Sequence, residues 1–258
     1  MPVTLADAAA PLAGAPFWVA ELLKIVSLYA VSWLSAQLVI HHRVRVNYTR
    51  KINHFALFFI PMLLTLLVEY ERTLPAAVVS STTLLLAILL MTGPVRRRCP
   101  FFATAFRSFD RPEDRPNTMA WLITQIVAGY IVLAPLLLIL DTMGAADLIM
   151  IPVLVNAVGD GLAEPVGVRF GRHTYRVTAL GTARVYTRSI EGSACVFVSA
   201  IGVVLFFASS FTDVQLVAAL VSVPIVTTLA EAWSPHTWDT PFLFLAGGLA
   251  VLGVLALI

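Results

Sequence analysis

Charge is what this sequence has least of. Asp, Glu, Lys and Arg make up 12% of the 258 residues, whereas 59% are hydrophobic. A soluble domain carries about 25% charged residues, so the shortage excludes an ordinary water-soluble enzyme. Cysteine is almost absent as well. Cys99 and Cys195 lie in different segments, and neither a disulfide nor a cysteine metal site is expected. Residues 1–16 contain Asp7 but no Lys or Arg, so they lack the basic region that opens a secretory signal. They read as a short disordered lead. No internal repeat and no low-complexity tract is visible.

What the chain has in plenty is apolar sequence of membrane length. A bilayer span needs about 20 apolar residues. The runs 17–40, 118–140, 193–211 and 241–258 come near that length. The runs 55–68, 76–91 and 214–229 are shorter, and 148–158 is shorter still and leads into a polar stretch. The expected fold is all-α: one polytopic membrane-embedded bundle over residues 17–258, with about eight transmembrane helices and seven as the alternative count.

The basic residues are unevenly placed. Of 17 Lys and Arg, 15 fall in the connecting segments 41–54, 94–117 and 169–192, and the alternate connections hold only Arg72. The positive-inside rule puts the three basic segments in the cytoplasm and both termini outside. Short loops rich in arginine point to a bacterial inner membrane.

The polar residues expected at that cytoplasmic face come from scattered parts of the chain. Segment 41–54 ends in TRKINH, with Arg50, Lys51 and His54. Residues 156–171 read NAVGDGLAEPVGVRFG. There Asn156, Asp160 and Glu164 form an i, i+4, i+8 stripe, a suitable row of oxygen ligands for Mg²⁺. Gly159 and Gly161 bare the backbone, and Pro165 is expected to interrupt the helix. Taken singly, Asp160 and Glu164 are equally well read as interfacial acids paired with arginines; the combination favours a functional site.

Further on, Arg188 precedes Ser189, which is placed to cap a helix opened by Glu191, Gly192 and Ser193. A helix start beside an arginine suits a phosphate group, although an ordinary cap is the commoner meaning of such a start. Near the end, LAEAWSPHTWDTP carries Glu231, Ser234 and Asp239. Asp239 reads as a helix cap. Glu231 opposes the dipole of the helix it ends and needs a partner, for which Arg50, Lys51 or a metal ion would serve.

Four blocks together resemble the phytol kinase/dolichol kinase family. They are Arg50-Lys51-x-x-His54, the Gly159-Asp160-Gly161-x-Ala163-Glu164 stretch with Gly167 and Gly171, Arg188-Ser189-x-Glu191-Gly192-Ser193, and Ala230-Glu231-x-x-Ser234 with Asp239 and Pro241. The family pattern usually has Asp at position 164, Lys at 188 and Asn after Asp239, and its loop is shorter than the segment 177–186 of this chain. The resemblance implies a CTP-dependent kinase acting on a lipid alcohol such as phytol, dolichol or another polyprenol. It extends to CTP-dependent diacylglycerol kinases and, more distantly, phosphatidate cytidylyltransferases.

In that reading Mg²⁺ is held by Asp160 and Glu164, with Glu231 and Asn156 in support. The triphosphate is held by Arg188, Ser189, Gly192 and Ser193, joined by Arg50 and Lys51, while Glu191 orients Arg188 or binds the ribose. Asp160 is the first candidate for general base and His54 the second. The partners are the lipid alcohol, the nucleotide and membrane lipids, with no nucleic acid. An ion-coupled transporter is the competing class, since broken helices and buried acids occur there too.

Overall fold

The computed structural model describes residues 14–69 and 73–257. The expected lead 1–16 falls mostly outside these residues, but Ala15 and Pro16 already belong to the first helix. Among the described residues, six helices are long and apolar enough to cross a membrane: Ala15–His42, Val46–Leu67, Thr118–Thr142, the composite Ala146–Phe170, Asp213–Trp233 and Asp239–Ala256. Two more apolar helices, Pro75–Leu89 and Ile190–Phe206, are shorter. The chain is an integral membrane protein whose described residues are mostly helical.

The contacts divide it into two compact units, meeting in sequence at Met119 and Ala120. In the first unit, α1 (Ala15–His42) and α2 (Val46–Leu67) pack together, joined by a turn in which Arg43 takes the left-handed conformation. Pro16 and Pro75 stand in the first turns of α1 and α3 (Leu74–Leu89), where a missing N–H costs nothing. Thr73 caps α3 by accepting from the Ala76 N–H. The basic segment that follows is not an open loop. It forms two short helices, α4 (Gly93–Arg96) and α5 (Pro100–Phe106), and α5 packs on α1 through Phe102 and Tyr29.

The first unit also contains a buried ion pair on α1, in contact with hydroxyls of α3. Lys24 Nζ donates to Glu21 Oε2 at 2.6 Å and to Ser80 Oγ at 2.7 Å. Ser80 Oγ donates to Glu21 Oε1 at 2.7 Å, and Thr83 donates to the other oxygen. Both charges are almost fully buried, a placement tolerated in a span only when the groups answer one another.

The second unit contains α6 (Thr118–Thr142), α7 (Met150–Leu154), a π-helical turn over Val155–Asp160, α8 (Gly161–Phe170), α9 (Ile190–Phe206), α10 (Asp213–Trp233) and α11 (Asp239–Leu257). Its core is aliphatic: Leu140, Ile151, Val155, Val196, Val204, Val223, Leu243 and Val251 are buried together. Thr212 and Gln215 form a reciprocal capping box that fixes the start of α10.

Three expectations need correction. The segment 169–192 is not plain loop: it holds an antiparallel hairpin of β1 (Thr174–Thr178) and β2 (Val185–Ser189), a small exception to an all-α fold. The sixth apolar run, expected over 193–211, is a helix that starts at Ile190 and stops at Phe206. The interruption near the acids lies in the π turn and not at Pro165, which α8 carries within its length. Pro165 is close to the start of α8, so the irregular turn just before it leaves little regular hydrogen-bond ladder for the ring to break.

Candidate active site

Four chain segments of the second unit converge on Arg188. β2 delivers it, one residue before Ser189 caps α9 by accepting from the Gly192 N–H at 3.1 Å. Register brings Tyr175 opposite Arg188 on β1. The last turn of α10 brings Glu231, and the first residue of α11 is Asp239.

Arg188 Nη1 lies 3.3 Å from Glu231 Oε1 and donates to the Glu231 carbonyl and, at 3.1 Å, to Ser234 Oγ. Nη2 faces Asp239 Oδ2 at 3.5 Å. The other Glu231 oxygen accepts from Ser193 Oγ at 2.7 Å, and Ser193 is in turn 2.7 Å from the Tyr175 hydroxyl. Burial opposes the charge on Arg188, but Asp239 and Glu231, with further help from Asp160, outweigh it and hold the guanidinium above its usual pKa. It is charged at every physiological pH. The expected cap at Ser189 is present.

The glycines of the polar stretch have a packing role. A Cβ on Gly159 would sit 2.9 Å from Val196 Cα, and one on Gly192 would sit 2.7 Å from the Ala163 carbonyl oxygen. Only bare backbone lets the π turn and α8 lie this close to α9. Asp160, in that π turn, is 5% exposed and its charge helps to hold that of the arginine. The backbone that Gly159 bares is therefore turned onto Val196.

Two partner assignments also change. Glu231 has Arg188 and Ser193 as its partners. Glu191 turns away from Arg188: it accepts the His173 N–H at 3.2 Å, and His173 Nδ1 lies 2.9 Å from it. Asn156 is fully buried in the π turn and Glu164 is half-buried on α8.

Arg50, Lys51 and His54 lie on α2 in the first unit. Arg50 Nη1 donates to Asp114 Oδ2 at 3.5 Å, and Arg111 holds the same carboxylate at 2.7 Å. Lys51 is buried, and the His54 ring centroid is 5.0 Å from that of Phe58. Tyr175 is a site residue that the sequence motifs pass over. Its signal is the alternation of Tyr175 and Val177 on one strand with Tyr186 and Arg188 on the next, flanked by Gly171 and Gly181.

The fit of a divalent cation can be judged from these donors. Among the described residues no group of three or more His, Cys, Asp or Glu could hold a metal ion, so they build no complete protein cage. Mg²⁺ commonly takes one or two carboxylates and completes its shell with water and substrate phosphates. Asp160, with Glu164 four residues on, is a donor set of that limited kind. Glu231 is a poorer donor because both its oxygens are committed.

No protein-family model, no curated protein and no solved structure matches this chain.

Proposed function

We propose that the protein is a membrane-embedded phosphotransferase. It moves the terminal phosphoryl group of a nucleoside triphosphate, CTP by the family resemblance, to the hydroxyl of a long-chain lipid alcohol. The observation that carries this reading is the buried Arg188, ringed by Glu231 and Asp239 and within the electrostatic reach of Asp160, beside the capped start of α9. Charges buried in a membrane protein are costly and mark functional sites by default.

Phosphoryl transfer asks for positioning and positive charge more than for covalent chemistry. A phosphate offers a guanidinium the same oxygen fork as a carboxylate does. Asp239, the more distant carboxylate partner of Arg188, is therefore the anion that a phosphate would replace. Asp160 takes the proton from the lipid hydroxyl. The hydroxyl oxygen bonds to the terminal phosphorus as the bridging oxygen leaves with the nucleoside diphosphate. A divalent cation held by Asp160 and Glu164 would neutralise charge on the phosphates. The arginine-rich connections support a cytoplasmic location for this chemistry, where a donor dissolved in water would meet an acceptor dissolved in lipid.

The test uses purified protein in detergent with γ-labelled CTP and a panel of phytol, dolichol, shorter polyprenols and diacylglycerol. The wild type should label one of these alcohols without any ion gradient, and gradient-free turnover separates the reading from ion-coupled transport. Asp160→Ala should abolish labelling while the protein stays folded. Full activity in that variant would show that Asp160 neither accepts the proton nor holds the cation.

A further inference from the structure

The turn between α1 and α2 and the short helices α4 and α5 carry arginines that no carboxylate answers. Arg43, Arg45, Arg97, Arg98 and Arg107 are exposed, and among the described residues none of them pairs with an acid. The sequence leaves little for them to pair with, since residues 22–68 and 72–109 contain no Asp or Glu. The acids that follow are engaged elsewhere. Asp110 binds Arg115 at 2.8 Å, and Asp114 is held by Arg111 at 2.7 Å and by Arg50 at 3.5 Å.

Contacts within the first unit gather these arginines. Thr49 on α2 donates to the Ser108 carbonyl at 3.0 Å, and Asn53 donates to Ser108 Oγ at 2.9 Å. Ser108 follows Arg107 in the chain, and Arg45 stands at the start of α2, about one helical turn before Thr49. Arg96 lies over the ring of Phe106, the residue before Arg107, with its guanidinium carbon 3.6 Å from the centroid. Burial lowers the Arg96 pKa, Asp110 opposes this, and the like charge of Arg97 adds to it. Apolar side chains border the arginines: Leu38 and Ile40 on α1, Leu89 and Leu90 at the end of α3, and Phe101 on α5 are exposed. An arginine just beyond lipid-facing leucines lays its stem along apolar surface and lifts its guanidinium to the level of the headgroups.

The geometry points to a docking surface for the headgroups of anionic phospholipids, centred on Arg45 and Arg107. A cluster of four to eight basic residues beside a span is enough to select acidic lipids, and the guanidinium fork suits a phosphate. A zwitterionic lipid brings an ammonium group along with its phosphate, and an unanswered cluster of arginines repels it.

Native mass spectrometry of the full-length protein in a neutral detergent tests this, with titrations of phosphatidylglycerol, phosphatidylcholine and inorganic phosphate. The wild type should bind phosphatidylglycerol more tightly than either of the others, and added salt should weaken that binding. Arg45→Gln and Arg107→Gln should each lose about fivefold in affinity for phosphatidylglycerol, the contribution of one basic residue at an anionic surface. The double variant should lose roughly twenty-five-fold. Arg176→Gln, which removes an exposed arginine from the hairpin, should bind phosphatidylglycerol as the wild type does. Equal affinity for the two lipids overturns the inference, as does a double variant with wild-type affinity. A loss in Arg176→Gln as large as in Arg107→Gln also overturns it, because overall charge would then be the cause. Inorganic phosphate bound as tightly as phosphatidylglycerol would mean that the surface takes a free anion and not a lipid. Should the variants misfold, the wild type decides alone: phosphatidylglycerol binding that salt leaves unchanged overturns the inference.

Discussion

Replacing Arg188 by Met removes the positive charge that, among the described residues, faces both Glu231 and Asp239. The arginine side chain is 11% exposed, and its two carboxylate partners are 6% and 12% exposed, so water cannot take over its work. Breaking a buried ion pair by deleting one member costs about 3–5 kcal/mol, since the partner is left charged and unanswered. Here two partners are left, which favours the upper part of that range. For a chain of this size the loss corresponds to a melting point lower by about 6–20 °C. The double variant Arg188→Met, Glu231→Gln should regain part of it. A glutamine oxygen can still accept from Ser193, and only Asp239 then remains without its cation. The measurement is thermal unfolding of the detergent-solubilised single and double variants, followed by tryptophan fluorescence. If Arg188→Met melts with the wild type, or if the double variant is less stable than the single one, the cluster is not a buried, mutually dependent unit.

Other outcomes follow from the same geometry. Gly159→Ala puts a methyl group against the backbone of Val196 and should destabilise the protein by about 1–3 kcal/mol, measured by thermal unfolding. Glu21→Ala and Lys24→Met should each cost about 3–5 kcal/mol. The pair of changes together should cost clearly less than their sum, and a thermal double-mutant cycle reads the difference. Arg188→Lys keeps the charge but not the fork that spans Glu231, Ser234 and Asp239. Transfer to the lipid alcohol should fall about a hundredfold in that variant, whereas Glu191→Gln, which touches only the His173 side, should leave the transfer rate near wild type.

The apolar runs locate the helices because hydrocarbon sets a length that sequence must match. Arg188, Ser189, Ser193, Glu231 and Asp239 also stand out in the sequence alone, because charged and polar residues are few in such a chain and those at helix ends are conspicuous. Their pairing is not legible there. Spacing along a chain says which residues share a helix face but not which distant segment arrives opposite, so Arg50 or Lys51 looks as good a partner for Glu231 as its actual cation, Arg188. The π turn is hidden for another reason. One extra residue per turn over Val155–Asp160 is too brief to alter a hydrophobic period. The strands of the hairpin, five residues each, are masked by the arginines that make their segment look like an ordinary basic loop. The Glu21–Lys24 pair is easily overlooked because two charges inside a strongly apolar helix do not spoil its span, and only the α3 hydroxyls of Ser80 and Thr83 reveal their setting.

Whether a nucleoside triphosphate gives up its terminal phosphoryl group at the Arg188 cluster to an alcohol dissolved in the membrane is open to direct measurement. Parallel incubations of the purified protein with lipid alcohol and CTP would carry the label either at the γ- or at the α-phosphate. Radioactivity in the lipid from the γ-label alone, lost in Asp160→Ala, is the result predicted. Lipid labelled from the α-phosphate would make the enzyme a cytidylyltransferase, and no labelled lipid from either nucleotide would contradict phosphoryl transfer at this site.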